Sequence, residues 1–384
     1  MKQIIQAFFK PVTHIILASF LLSLIFLTGT IKVSDDDVSY RAFAETLADQ
    51  HKLDWTIPGF HGADFFVAAF YKITGSHNSV YIIDMLCAVL TIAAIYAAVS
   101  QIFNDKTLGV YAAYAFTLMP ITYTSALRGF HFTPMIFFAF LGLYLLWYKP
   151  QFSFLIGISY IVKPFSIAFA PLFLYKKKMN QFFLSLLFPV LYVLSEFFQT
   201  HHIMIGAHKD YTPQSLFSLS RTFINIIYGI QNYFSIHGFS PRSFAYLDDM
   251  PHITPLITIL AVFAIVYFQK FFKDSKQLGY TLTACAAIAF IIPASFYRFD
   301  YWYLTIFNFT LVLLALRPAQ YYYKLLPIVV GTSVFEFYYT LLAHPQYFPT
   351  RLPKIALFGI WAIVLIISIA YTRIRSKSAY PNND

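Results

Sequence analysis

Apolar stretches recur along nearly the whole chain, and their lengths decide what it can fold into. Twenty helical residues at about 1.5 Å each cross a hydrocarbon core of roughly 30 Å. The stretches fall near 12–31, 78–100, 107–124, 132–148, 151–162, 164–175, 181–200, 254–272, 279–296, 302–316, 325–342 and 354–372. Backbone amides in lipid must bond within their own segment. The expected architecture is therefore an all-α, polytopic transmembrane bundle of about 12 spans, with residues 1–384 as a single integral membrane domain. Hydrophobic residues make up 59% of the chain and charged residues 11%, with mean hydropathy +0.63, which excludes a water-soluble globule.

The lysines and arginines orient the bundle. Alternating the loops from a cytoplasmic N-terminus puts 15 of the 27 basic residues inside, against three carboxylates, Asp105, Asp274 and Asp384. Both termini are thus expected in the cytoplasm. The formal charge of +10 follows from such loops and calls for no nucleic acid. Cys87 and Cys285 fall inside spans and suggest neither a disulfide nor a metal site. The first span reads as an uncleaved anchor, since it is long and further spans follow.

Two outer loops are long, about 32–77 and 201–253, which makes the outer side the working face. In the first, Tyr40, Phe43, Ala44 and Leu47 share one helical stripe, predicting an amphipathic helix on the membrane surface with an aspartate N-cap. A second short helix is expected near 65–73, and another at 216–233 in the late loop. Residues 151–175 read either as one span with Lys163-Pro164 at its middle or as two short spans turning there. The second reading keeps Lys176, Lys177 and Lys178 inside, and proline suits such a turn. It places Lys163 in an outer cavity, where a cation can meet an anionic lipid headgroup.

Charged residues beside lipid are costly, so each needs a reason. Asp35, Asp36 and Asp37 directly follow the first span; one carboxylate caps a helix, but capping does not need three. An aspartate at a helix N-terminus stays ionised and can take a proton or hold a cation. Arg298, in the run Tyr297-Arg298-Phe299-Asp300-Tyr301, reads equally as an interfacial arginine paired with Asp300 or as a fork for a phosphate. Asp84, Glu196 and Glu336 lie within spans, either functional or as partners for Lys163 or Arg128. His61 and Asp64 could ligate a metal or shape a pocket. No phosphate-cradling glycine loop is present, which argues against a soluble nucleotide donor.

In this order, the pieces resemble the GT-C class of membrane glycosyltransferases, in the branch of protein O-mannosyltransferases and the lipid A aminoarabinose transferase. The likeness rests on Asp36-Asp37-Val38-Ser39-Tyr40 after the first span and on Ile57 to His61 leading to Gly75. Tyr160-Ile161-Val162-Lys163-Pro164 between short spans, and Arg298 with Tyr301 opening a late one, complete it. The chain departs from that pattern at Arg128-Gly129-Phe130-His131, where many members carry an acidic residue.

The resemblance implies an inverting transfer of a sugar from a polyprenyl phosphate to a lipid, glycan or protein acceptor of the cell envelope, on the outer face of a bacterial inner membrane. Asp36 would be the general base and Asp37 its companion, the pair also being the candidate site for a divalent cation. Lys163, Arg298 and Tyr301 would hold the donor phosphate. Tyr40, His61, Asp64, Arg128 and His131 would line the pocket. Two other classes fit the span count: a lipid-linked oligosaccharide flippase, which predicts internal repeats, and a lipid-linked glycan polymerase or ligase with essential residues such as Arg221 or Arg242 in the late loop.

Overall fold

A computed structural model describes residues 10–31, 33, 35–57, 59–201, 220, 222–227, 255–295 and 304–321, with 359, 362, 363, 366 and 369. Among the described residues every regular element is helical. Four helices are long and apolar enough to cross a membrane: Pro11–Thr28, Ser79–Phe103, Met179–Thr200 and Lys276–Ala294. Shorter apolar helices cover Phe132–Tyr148, Pro150–Val162, Pro164–Tyr175 and Ile257–Val266. The expected twelve spans are thus not all there as regular helices; 325–342 lies outside the described residues, as does 354–372 apart from 359, 362, 363, 366 and 369, which are helical.

The differences have local causes. Expected span 107–124 is broken into Lys106–Leu118 (α5) and Pro120–Arg128 (α6), because Pro120 pushes Met119 out of the helical region, to φ −68°, ψ 120°. Expected span 254–272 ends at Val266, and residues 268–271 make one further turn.

Helix α1 (Pro11–Thr28) leads to α2 (Asp35–Gln50) and α3 (Asp64–Thr74), then α4 (Ser79–Phe103). Helix α2 begins at Asp35, so the three aspartates form its first turn instead of preceding it. Of the expected apolar stripe, Tyr40, Phe43 and Ala44 are buried and Leu47 half-buried, and Ala48 is buried beside them. Part of that stripe packs on Val67 and Ala68 of α3 and on Val80 and Ile83 of α4. The stripe expected to face lipid therefore meets protein. Its opposite face is ionic, with Arg41 beside Glu45 and Asp49 beside Lys72.

Helix α7 (Phe132–Tyr148) is followed by a chain reversal. A first arm of 3-10 turn and α-helix, Pro150–Val162, reaches Lys163, which is extended, and a second arm, Pro164–Tyr175, returns. Ser159 and Ser166 are hydrogen bonded across the turn at 2.6 Å, and Tyr175 stacks on Trp147 at 6.2 Å, back where the first arm began. That is the hairpin reading of 151–175.

Helices α8 (Met179–Ser185) and α9 (Leu187–Thr200) run on from the second arm. Later helices are α10 (Pro255–Val266), α11 (Phe268–Phe271), α12 (Lys276–Ala294) and α13 (Thr305–Tyr321). At the end of the bundle away from α2 and α3, Arg317 donates to the Phe271 carbonyl (2.9 Å) and Ser275 Oγ (3.0 Å) and pairs with Gln320, whose amide reaches Asp105. One arginine thus ties three helix ends together.

Candidate functional site

The loop between α2 and α3 is fixed by a stripe on α9. Tyr192, Ser195 and Gln199, at helical spacing, bind respectively the His61 backbone N–H (3.0 Å), Trp55 Nε1–H (3.2 Å) and the Trp55 backbone N–H (3.1 Å). Polar residues seven positions apart in an apolar helix were a readable signal, and sequence reasoning passed over them. From the other side the hairpin closes in. A side chain at Gly62 would come within 2.3 Å of the Ile161 carbonyl, so only glycine lets the two backbones touch.

This packing assembles a buried polar chain. His61 Nε2 donates to the Ile57 carbonyl at 2.8 Å, and its Nδ1 meets Asp64 Oδ2 at 2.7 Å. Asp64 Oδ1 meets His131 Nε2, and His131 Nδ1 meets Asp84 Oδ1, both at 2.7 Å. The His131 backbone N–H donates to Asp84 Oδ2 at 2.7 Å. All four side chains are fully buried. Asp84 therefore pairs directly with His131, and not with Lys163 or Arg128 as the sequence suggested.

One proton in each of the four ring contacts would make both histidines imidazolium ions, balancing the two carboxylates at no net charge. That neutrality is what allows four ionisable groups to be buried together. Burial by itself would raise the Asp64 carboxyl, but His131 and His61 outweigh it and hold it below its ordinary value.

Above this chain lies Tyr40, its ring 4.3 Å from that of His131 and edge-on to His61. Phe43 stacks flat on His61 at 3.9 Å. Gly59, at φ +140°, lets the loop pass Tyr40, since a Cβ there would sit 2.7 Å from the Tyr40 ring. Lys163 projects from the hairpin tip into this layer. It is 4% exposed and donates to the Tyr40 hydroxyl at 3.3 Å, its only hydrogen-bond partner among the described residues. The rings of Phe132, Phe60 and Tyr40 surround the ammonium at 4.7, 5.5 and 5.7 Å. Among the described residues no carboxylate pairs with it directly.

The adjacent aspartates diverge. Asp36 is exposed at the first turn of α2, whereas Asp37 is 1% exposed and accepts from Tyr81 Oη at 2.5 Å. Consecutive helical residues point about 100° apart, so one faces out when the next faces in. Arg128 ends α6, its guanidinium 5.2 Å from the Phe130 ring. His61, Asp64 and His131 stand behind Tyr40, their polar atoms engaged with one another.

No three His, Cys, Asp or Glu side chains converge on a cation position among the described residues. Asp37 is taken up by Tyr81, so the residues present do not fit the expected cation site, and no step below passes through a metal. Arg298 and Tyr301 lie outside the described residues, as do Glu336, Arg221 and Arg242; of the expected helix 216–233, Ser220 and 222–227 are described and helical.

No family model matches this chain, and no curated protein sequence does. Three solved structures match this chain in part. The likeness is to archaeal oligosaccharyltransferase. The Archaeoglobus fulgidus enzyme tethered to an acceptor peptide matches at TM-score 0.49 and 13% identity, covering 94% of this chain and 55% of that one. Its apo form matches at 0.49 and 14%, covering 95% and 56%. The same organism's AglB with an inhibitory peptide and dolichol-phosphate matches at 0.49 and 12%, covering 92% and 56%. The chain thus spans little more than half the length of these proteins, and likeness at this level fixes neither activity nor substrate.

Proposed function

We propose that this chain is a membrane glycosyltransferase that moves a sugar from a polyprenyl-phosphate donor to a hydroxyl or amine acceptor at the face carrying α2 and α3. One observation carries the reading: Lys163 is buried among the rings of Tyr40, Phe60 and Phe132 at the face where Asp36 is exposed, and no carboxylate among the described residues pairs with it. A cation held among aromatic rings with a single neutral partner is stabilised by an arriving anion.

In the transfer, the acceptor oxygen or nitrogen attacks the anomeric carbon while its proton passes to Asp36. The bond from that carbon to the phosphate oxygen breaks, and the electron pair leaves with the polyprenyl phosphate. Lys163 stabilises the charge gathering there, with Tyr40 fixing its ammonium. Arg298 and Tyr301 are proposed as further phosphate contacts on sequence grounds. Single displacement inverts the anomeric centre. Asp37, bonded to Tyr81, anchors the first turn of α2 so that Asp36 stays at the surface.

The test is transfer from a panel of polyprenyl-phosphate sugars by the purified chain in lipid. D36N should lower the rate by about 10²–10⁴-fold, and K163Q by about 10²–10³-fold. Undiminished transfer by D36N would remove Asp36 from the chemistry. A wild-type chain inactive with every donor would remove the function.

A further inference from the structure

The hairpin that presents Lys163 at one face gathers a different set of residues at the other. Helix α7 has 17 residues, so about 25 Å separates its two ends. At the far end, Trp147 stacks on Tyr175 (6.2 Å, 28°) and Tyr144 on Tyr148 (5.4 Å, 16°). Lys176 Nζ sits 4.9 Å from the Trp147 ring centroid, and Lys149 Nζ 5.5 Å from that of Tyr148. Lys177 is exposed and left-handed at φ 55°, which turns the chain sharply between Lys176 and Lys178.

Lys176 and Lys149 thus lie against two aromatic stacks at this end, with Lys177 and Lys178 next to Lys176 in the chain. The sequence holds no Asp or Glu between Asp105 and Glu196. None of the four lysines pairs with a carboxylate among the described residues. Beside them, Leu174 and Phe183 are 65% and 63% exposed.

We propose that Lys149, Lys176, Lys177 and Lys178 form a binding site for the headgroup of an anionic phospholipid. The headgroup would lie on the Trp147–Tyr175 shelf and its acyl chains along Leu174 and Phe183. Topology signals need only positive charge in a loop. They do not need rings that hold two of the ammonium groups in place, nor a surrounding free of carboxylates. The exposed apolar side chains beside the lysines select a lipid over free phosphate. Basic pockets at helix ends take anionic headgroups by this combination.

The test is native mass spectrometry of the purified chain in detergent, supplied with equal amounts of dioleoylphosphatidylglycerol and dioleoylphosphatidylcholine. The wild-type chain should retain the anionic lipid about tenfold over the neutral one. K149Q/K176Q/K177Q/K178Q should abolish that preference, and so should high salt acting on the unaltered chain, which needs no refolding of a variant. K270Q/K273Q/K276Q, a neighbouring basic stretch, should leave it intact. Equal retention of both lipids, or an equal loss in the control variant, overturns the proposal.

Discussion

Replacing Asp84 by asparagine should cost far less than replacing it by alanine, and the reason lies in where the protons sit. Asp84 accepts from both His131 Nδ1 and the His131 backbone N–H. Asparagine can still accept the backbone proton with its oxygen. Its amide then donates to Nδ1, provided His131 becomes the neutral tautomer with its proton on Nε2. Nε2 continues to donate to Asp64, and every contact in the chain survives at zero net charge.

The loss is the change from charge-assisted to neutral bonds, about 1–2 kcal/mol over two contacts. Alanine instead strands two buried donors at about 1–3 kcal/mol each and uncouples a buried ion pair, for a total of roughly 3–5 kcal/mol. Thermal unfolding of the detergent-purified variants, followed by tryptophan fluorescence, compares them. The same logic makes the D64N/D84N double variant closed and neutral, with both imidazoles uncharged. If D84N unfolds as readily as D84A, Asp84 acts through its charge on Lys163, and the proton count is wrong.

Gly62→Ala should shift the hairpin tip away from the α2–α3 loop, because its Cβ meets backbone that cannot rotate aside. A destabilisation of about 1–3 kcal/mol follows, and since Lys163 rides on that tip, transfer should fall further than the unfolding curve alone predicts. Acid should weaken the fold through Asp64. Burial would raise this carboxyl, but the two histidines hold it below its ordinary value. Its contribution is therefore full above the unfolded value and is lost as pH falls through the folded one. Melting curves at falling pH should show this decline, with D64N less sensitive.

The parts legible in the sequence are those that local physics fixes. Apolar length marked the long helices at 11–28, 79–103 and 276–294, each within a few residues. The stripe Tyr40, Phe43, Ala44 marked α2, and Lys163-Pro164 marked a chain reversal. Even here one local signal was overlooked, since Pro120 breaks 107–124 for the same reason that Pro164 breaks 151–175. The apolar stripe of α2 gave its helical period but not its neighbour, because lipid and protein reward burial of the same side chains.

Periodicity and charge by themselves determined an all-helical chain built for a bilayer, with charged residues gathered at the ends of its spans. Only the tertiary structure decided which of those residues meet. His131 finds Asp84 and Asp64 across 47 and 67 positions, and Trp55 finds Gln199 across 144. Which of Asp36 and Asp37 faces outward was likewise set by the packing of α2 against Tyr81. A side chain's local pattern tells which face of a helix it occupies; what waits on that face depends on segments far along the chain, brought there by burial they all share.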